Sequence, residues 1–203
     1  MSTAVMERRE TWPELPERDG YEYDNGKWVK LAVAAGPTHL AHKLVNRITD
    51  YAGPLGLGWA LAHETPFQIW PLHPKKYRKP DGAFLRPEAF PDGKVPDGFM
   101  HAIPEILIEV ISPGDRFTEL QVKIDEYFEA GVKLVWVLVS KPMSVLVYRA
   151  DGTISQLRQG DVLTGETILP GFRVAVADLF DLRVGLAIET PASDGPPPSP
   201  ARE

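Results

Sequence analysis

The sequence predicts a mixed α/β fold, on three observations. Two dense apolar runs, IPEILIEVI at residues 103–111 and LVWVLV at residues 134–139, are strand-sized and far too short to span a membrane. Between them Phe117, Leu120, Ile124, Tyr127 and Phe128 recur at helical spacing, and Gly131 closes the segment. Strand, helix and strand thus follow within about 35 residues, the length and order of a βαβ unit, right-handed where its strands run parallel.

The remaining elements build around that unit. In YEYDNGKWVKLAV, residues 21–33, Asp24-Asn25-Gly26 supplies turn chemistry between two short β-prone segments, so a hairpin is expected. Pro37-Thr38 precedes Leu40, Leu44, Val45, Ile48 and Tyr51 at helical spacing, ended by Gly53-Pro54; Thr38 is the expected N-cap. Residues 59–70 are β-like, and after the turn PLHPKKYRKP residues 81–86 complete a second hairpin. PEAFPDGKVPDG, residues 87–98, is a loop; residues 145–148 and 154–157 flank Asp151-Gly152 as a further hairpin, and residues 172–176 form a late strand. Residues 1–18 mix charge and proline without a period and are expected as a poorly ordered arm, residues 19–188 as a single domain, and the Pro-rich residues 189–203 as a disordered tail.

Composition prunes the functions. A chain of 203 residues, 43% hydrophobic and 25% charged, has material for one sizeable core. Its net charge of −6 is not that of a polycation that coats nucleic acid, so a polyanion must be met locally. The absence of cysteine excludes disulfides, thiolate nucleophiles and Cys-based metal sites. Charges occupy the N-terminus where a signal peptide carries its apolar core, which points to a cytoplasmic location without membrane association. Hydrolase-elbow, P-loop and dinucleotide fingerprints are missing, His63-Glu64 lacks the second histidine of a zincin, and His39 with His42 has no evident third ligand.

Three residues then stand out. Glu109 sits among apolar residues in ILIEVI, where an ionised carboxylate needs a cation or hydrogen bonds beside it. The alternative is a half-exposed face shared by Glu105, Leu107, Glu109 and Ile111 at period two. Asp81 follows Pro80 at the start of a short strand, where an Asp-Gly turn is the plainer use. Lys123 lies at −60° from Leu120 on the helix wheel, flanking the face that packs on the sheet, either snorkelling or reaching back toward Glu109. Together, two strand-borne acids and a lysine suit phosphodiester hydrolysis. Mg²⁺ or Mn²⁺ takes one or two carboxylates and leaves its other positions to water and phosphate oxygens. Lys75, Lys76, Arg78, Lys79 and Arg86 are candidates for local phosphate contacts.

These residues belong to fragments that, in order and spacing, resemble the Uma-type restriction endonucleases, a branch of the PD-(D/E)XK nuclease superfamily. The fragments are YEYDNGKWV, PTHLAHKLV, Pro80-Asp81, PEILIEVISPGDR, Lys123 with Tyr127 and Ala130-Gly131-Val132, the Trp136 strand and LPGFRVAVADLF. The resemblance implies a restriction-endonuclease-like core, a central mixed β-sheet flanked by helices with the hairpin as an N-terminal extension. It also implies divalent-metal sites at Asp81 and Glu109, a nucleic-acid substrate, DNA first, and a homodimer. The superfamily's lysine two positions after the acid is here Ile111, and Lys123 from the next helix stands in its place. His39, Glu64, Ser112 and Gln121 are supporting polar positions. The competing expectation is a nuclease-fold module that no longer cleaves and binds nucleic acid or a partner.

Overall fold

A computed structural model describes residues 12–31, 34–90 and 92–183. Its centre is a six-stranded mixed sheet in the order β3-β5-β6-β7-β8-β9, where β3 is Trp59–Ala62, β5 Gly82–Leu85, β6 Ile106–Ile111, β7 Leu134–Val139, β8 Ser144–Arg149 and β9 Ile154–Leu157. Among these six strands only β6 and β7 pair in parallel, and the helix between them, α2 (Phe117–Ala130), ends on Gly131 at φ 102°, a left-handed conformation that glycine adopts freely. The expected βαβ unit is therefore the middle of the molecule.

The sheet is apolar on both faces because a helix covers each. On one side α1 (Ala35–Ala52) lays Leu40, Leu44 and Ile48 against Ile106, Ile108, Trp136 and Leu138. On the other, α2 lays Leu120, Ile124 and Tyr127 against Leu107, Val135 and Val137. The pleat of β6 sends Ile108 and Val110 toward α1, and Leu107 and Glu109 toward α2. A two-stranded sheet, β10 (Val162–Gly165) with β11 (Leu169–Ala175), and the short α3 (Val176–Phe180) extend the α1 side.

A three-stranded sheet of order β2-β1-β4 stands beside this core. The hairpin strands β1 (Tyr21–Asp24) and β2 (Lys27–Lys30) turn through Asn25 and Gly26, both at positive φ, and β4 (Lys76–Tyr77) adds to β1. The second expected hairpin is real only at its ends. β3 and β5 pair antiparallel, but the strand stops at Ala62 and residues 63–81 make the excursion that carries β4 away to β1. The strand expected from residue 103 begins at Ile106, since Pro104 has no N–H to give a ladder. Thr38 is not the N-cap: α1 starts at Ala35, capped by Ala34, and Pro37 falls in the first turn, where a missing N–H costs nothing.

The N-terminal arm is more tied down than its composition suggests. Trp12 stacks on His101 with ring centroids 5.2 Å apart, and Pro13 offers its carbonyl to the Gln68 amide at 3.1 Å. Residues 1–11 and the tail of residues 189–203 lie outside the described residues.

One close contact fixes how α1 meets the sheet. A Cβ on Gly82 would stand 2.7 Å from Val45 Cγ2 and 3.1 Å from Ile108 Cδ1, so α1 packs on bare backbone at the residue next to Asp81. Gly82→Ala is expected to cost about 1–3 kcal/mol of unfolding free energy through overpacking, read by urea denaturation. An unchanged midpoint would show that α1 can lift away without loss.

Candidate functional site

Strand pairing brings the two acids together. Gly82 pairs with Ile108, and one further step of that antiparallel register sets Asp81 opposite Glu109. Asp81 stands one residue before β5 begins, and its side chain takes the place of the ladder: its Oδ2 accepts a hydrogen bond from the Val110 N–H at 2.7 Å. The carboxyl of Asp81 is consequently locked to the strand that carries Glu109.

Glu109 is 7% exposed, so the half-exposed face considered from the sequence does not exist; α2 covers it. Its Oε1 accepts a 2.6 Å hydrogen bond from the Tyr127 hydroxyl, and its Oε2 lies 3.9 Å from Lys123 Nζ. Lys123 and Tyr127 are four apart on α2 and share a face, as helix geometry requires. Burial pushes Glu109 up to about 7, with Lys123 and the Tyr127 hydroxyl acting against the rise and the charges of Asp81 and Glu22 adding to it. For Lys123 burial works toward a lower pKa, and the carboxylates of Glu109 and Glu22 outweigh it and raise the lysine instead. Burial also drives the Tyr127 hydroxyl well above its ordinary value.

A cleft of about 210 Å³ opens on these groups, lined among others by Glu22, His63, Asp81, Glu109, Ser112 and Lys123. His63 Nδ1 is buried without a hydrogen-bond partner, 3.5 Å from Asp81 Oδ1, while Nε2 lies 3.0 Å from Glu64. The Asp81 carboxylate raises the imidazole pKa against the opposing effect of burial.

Of the other residues singled out from the sequence, Lys79 and Ser112 line the cleft and the rest fall elsewhere. Lys76, Arg78 and Lys79 are buried and spent on internal pairs, which corrects their assignment to phosphate contacts. Lys76 meets Glu126 at 2.7 Å; Arg78 meets Glu126 at 2.8 Å, Glu22 at 3.1 Å and Asp24 at 3.3 Å; Lys79 meets Glu64 at 2.9 Å. A cation in a strand that becomes buried must be neutralised there, leaving nothing for a ligand. Arg86 donates to the Ile168 carbonyl, and Lys75 alone of the five is exposed. Ser112 lines the cleft but donates both its N–H and its hydroxyl to Asp115. Glu64 bridges His63 and Lys79. Gln121 donates to Asp125 on the surface of α2, and His39 is exposed on α1; neither lines the cleft.

Glu22, His63 and Tyr127 are the site groups that sequence reasoning passed over. Glu22 is wholly buried, with Oε1 3.0 Å from Lys123 Nζ and from the Lys79 N–H. The one signal was the alternation of YEYD, which puts Glu22 on the face opposite Tyr21 and Tyr23.

The profile of a family described as "Putative restriction endonuclease", Uma2, matches residues 6–177. The chain belongs to the Uma2 family. Its fold is also that of a crystal structure described as a putative nuclease belonging to DUF820 from Anabaena variabilis ATCC 29413, with a TM-score of 0.71 at 18% identity over 81% of this chain and 92% of that one. No curated protein matches the chain. Together, the Uma2 match and the mixed six-stranded sheet bear out the family and the fold read from the sequence.

A divalent ion is the cofactor this family description brings into question. Among the described residues no group of three or more His, Asp or Glu is gathered closely enough to enclose an ion. Mg²⁺ and Mn²⁺ do not require one, because one or two carboxylates suffice when water and phosphate complete the shell. Asp81 and Glu109, adjacent and opening on the cleft, fit that demand.

The cost of ionising Glu109 gives a test in metal-free buffer. A carboxyl whose folded pKa is raised favours the folded state most at low pH, and this support is lost as pH rises from about 4.5 toward 7. Between pH 5 and 8 the protein should lose about 2 kcal/mol of stability through this group. In Glu109→Gln that part of the pH dependence should vanish, as read by urea unfolding at both pH values. Parallel pH profiles for the two proteins would show that Glu109 titrates normally.

Proposed function

We propose that the protein is a Mg²⁺- or Mn²⁺-dependent endonuclease that hydrolyses phosphodiester bonds of DNA, with Asp81 and Glu109 as metal ligands and Lys123 as the cation facing the reacting phosphate. The observation that carries this reading is the pairing of β5 with β6, which sets two carboxylates side by side on a cleft that Lys123 also lines. A bound divalent ion would lower the pKa of the attacking water and offset the charge that builds on the phosphate. Lys123, kept protonated by Glu109 and Glu22, contributes a fixed positive charge near the pentacovalent phosphorus. Tyr127 holds one oxygen of Glu109, leaving the other directed at Lys123 and the cleft. Asp81 Oδ2 is held by the Val110 N–H, and Oδ1, with His63 Nδ1 at 3.5 Å, is the oxygen that would meet a metal.

A second reading is favoured by the internal use of Lys76, Arg78 and Lys79. With those cations committed, Lys30, Arg116 and Lys123 are the basic side chains left on the cleft, fewer than the stripe common in nucleic-acid binders, which suits a nuclease-fold module that has given up cleavage. A homodimer and a cytoplasmic location complete the proposal. Among the described residues no helix is long and apolar enough to cross a membrane.

Calorimetric titration with Mn²⁺ and cleavage of supercoiled plasmid separate the readings. On the nuclease reading wild type binds Mn²⁺ and nicks DNA, Asp81→Ala and Glu109→Ala abolish both, and Lys123→Ala slows cleavage by about 10²–10³ with binding retained, the loss expected for one stabilising group in the transition state. Cleavage that survives both carboxylate substitutions would remove the proposal. Wild type that neither binds Mn²⁺ at millimolar concentration nor cuts would favour the module.

A further inference from the structure

Lys123 sits between two carboxylates, and the nearer one comes from the N-terminal hairpin. Its Nζ is 3.0 Å from Glu22 Oε1 and 3.9 Å from Glu109 Oε2. Glu22 itself cannot move. It is fully buried, Oε1 also accepts the Lys79 N–H at 3.0 Å, and Oε2 is held by Arg78 Nη1 at 3.1 Å. Arg78 is anchored in turn by Glu126, which lies three residues after Lys123 on the same face of α2. The hairpin therefore presents a firmly held negative charge to the lysine, nearer to it than Glu109 is.

We propose that Glu22 is a positioning residue that draws Lys123 off Glu109 and so leaves the Glu109 carboxylate open to a divalent cation. This rests on the metal reading of Asp81 and Glu109 and adds a requirement for the hairpin. The physical reason is competition. A half-buried ammonium with a single carboxylate neighbour closes on it, because the Coulomb gain grows as surrounding water is reduced. A lysine closed on Glu109 occupies the charge that a metal ion would use. With Glu22 present, the ammonium has a better-placed anion and stays at 3.9 Å. A merely structural Glu22 would support the network of Arg78 and α2 without regard to Lys123, and the two roles differ in what removing the lysine does.

The test is titration of the full chain with Mn²⁺ alone, by calorimetry, for wild type, Glu22→Gln, Lys123→Met and the double variant, with thermal unfolding confirming that each is folded. Glu22→Gln should weaken Mn²⁺ binding at least about tenfold in the presence of the lysine, and less than about threefold in the Lys123→Met background, because the lysine carries the effect. Glu22→Asp keeps a charge for Arg78 but withdraws it by one methylene, and should repeat the pattern should the glutamine variant not fold. Binding within about threefold of wild type for a folded Glu22 variant overturns the proposal, and so does an equal loss with and without Lys123. If wild type gives no Mn²⁺ heat, or Asp81→Ala leaves it unaltered, the metal reading fails first and this inference with it; a failure confined to Glu22 leaves that reading standing.

Discussion

The constraint on which the rest of the structure depends is the burial of a carboxylate in the middle of the central sheet. Glu109 lies between Ile108 and Val110 on β6, under α2, and its charge is tolerable there only with partners. Tyr127 and Lys123 supply them from one face of α2. Because Lys123 is also drawn to Glu22, the N-terminal hairpin has to pack where it does, and because Glu22 needs Arg78, so does the excursion of residues 63–81. A short hairpin with every residue of β2 exposed has little apolar surface to hold it. Buried ion pairs and the β1–β4 ladder do that in its place, and such pairs give geometric definition more readily than net stability.

The same network explains why the basic segment at residues 75–79 puts so little of its charge on display. Lys76 and Arg78 converge on Glu126, and Asp24 joins them from β1. What remains at the cleft is Lys123, itself paired, together with the exposed Lys30 and Arg116. Beside the two acids themselves, attraction for a phosphate then falls to Lys123 and to whatever cation the acids hold, which makes a metal more than an accessory in the proposed chemistry. Net charge of −6 is consistent with this division, since long-range steering by the protein's own field would repel a polyanion.

Much of this was legible in the sequence, for identifiable reasons. The βαβ unit was legible because its apolar periods are long and its stop at Gly131 is sharp. The angle of Lys123 followed from the helix wheel, since the apolar face of α2 is well defined by Leu120, Ile124 and Tyr127. What the sequence hid were roles that depend on remote partners. Glu22 and Arg78 are 56 residues apart, and a basic run reads as solvent-facing until β4 is known to pair with β1. Tyr127 looked like core because its ring is core; only its hydroxyl belongs to the site. Thr38 misled because a good capping residue next to proline outranked the chance that the helix began upstream of both.

The adjacency of Asp81 and Glu109 is, in the end, a matter of strand register. A slip of one residue between β5 and β6 would turn the Asp81 side chain to the opposite face and separate the acids. Two features oppose such a slip at the place where it would matter. Gly82 admits Val45 of α1 so closely that any larger side chain brought there would clash, and the Val110 N–H takes the Asp81 carboxylate where the β5 ladder has run out. The packing contact sits one residue from the acid it aligns, and the hydrogen bond uses the acid itself. Stability of the β5–β6 pairing and geometry of the site are thus the same interaction, so a change that holds the register holds the two acids side by side as well.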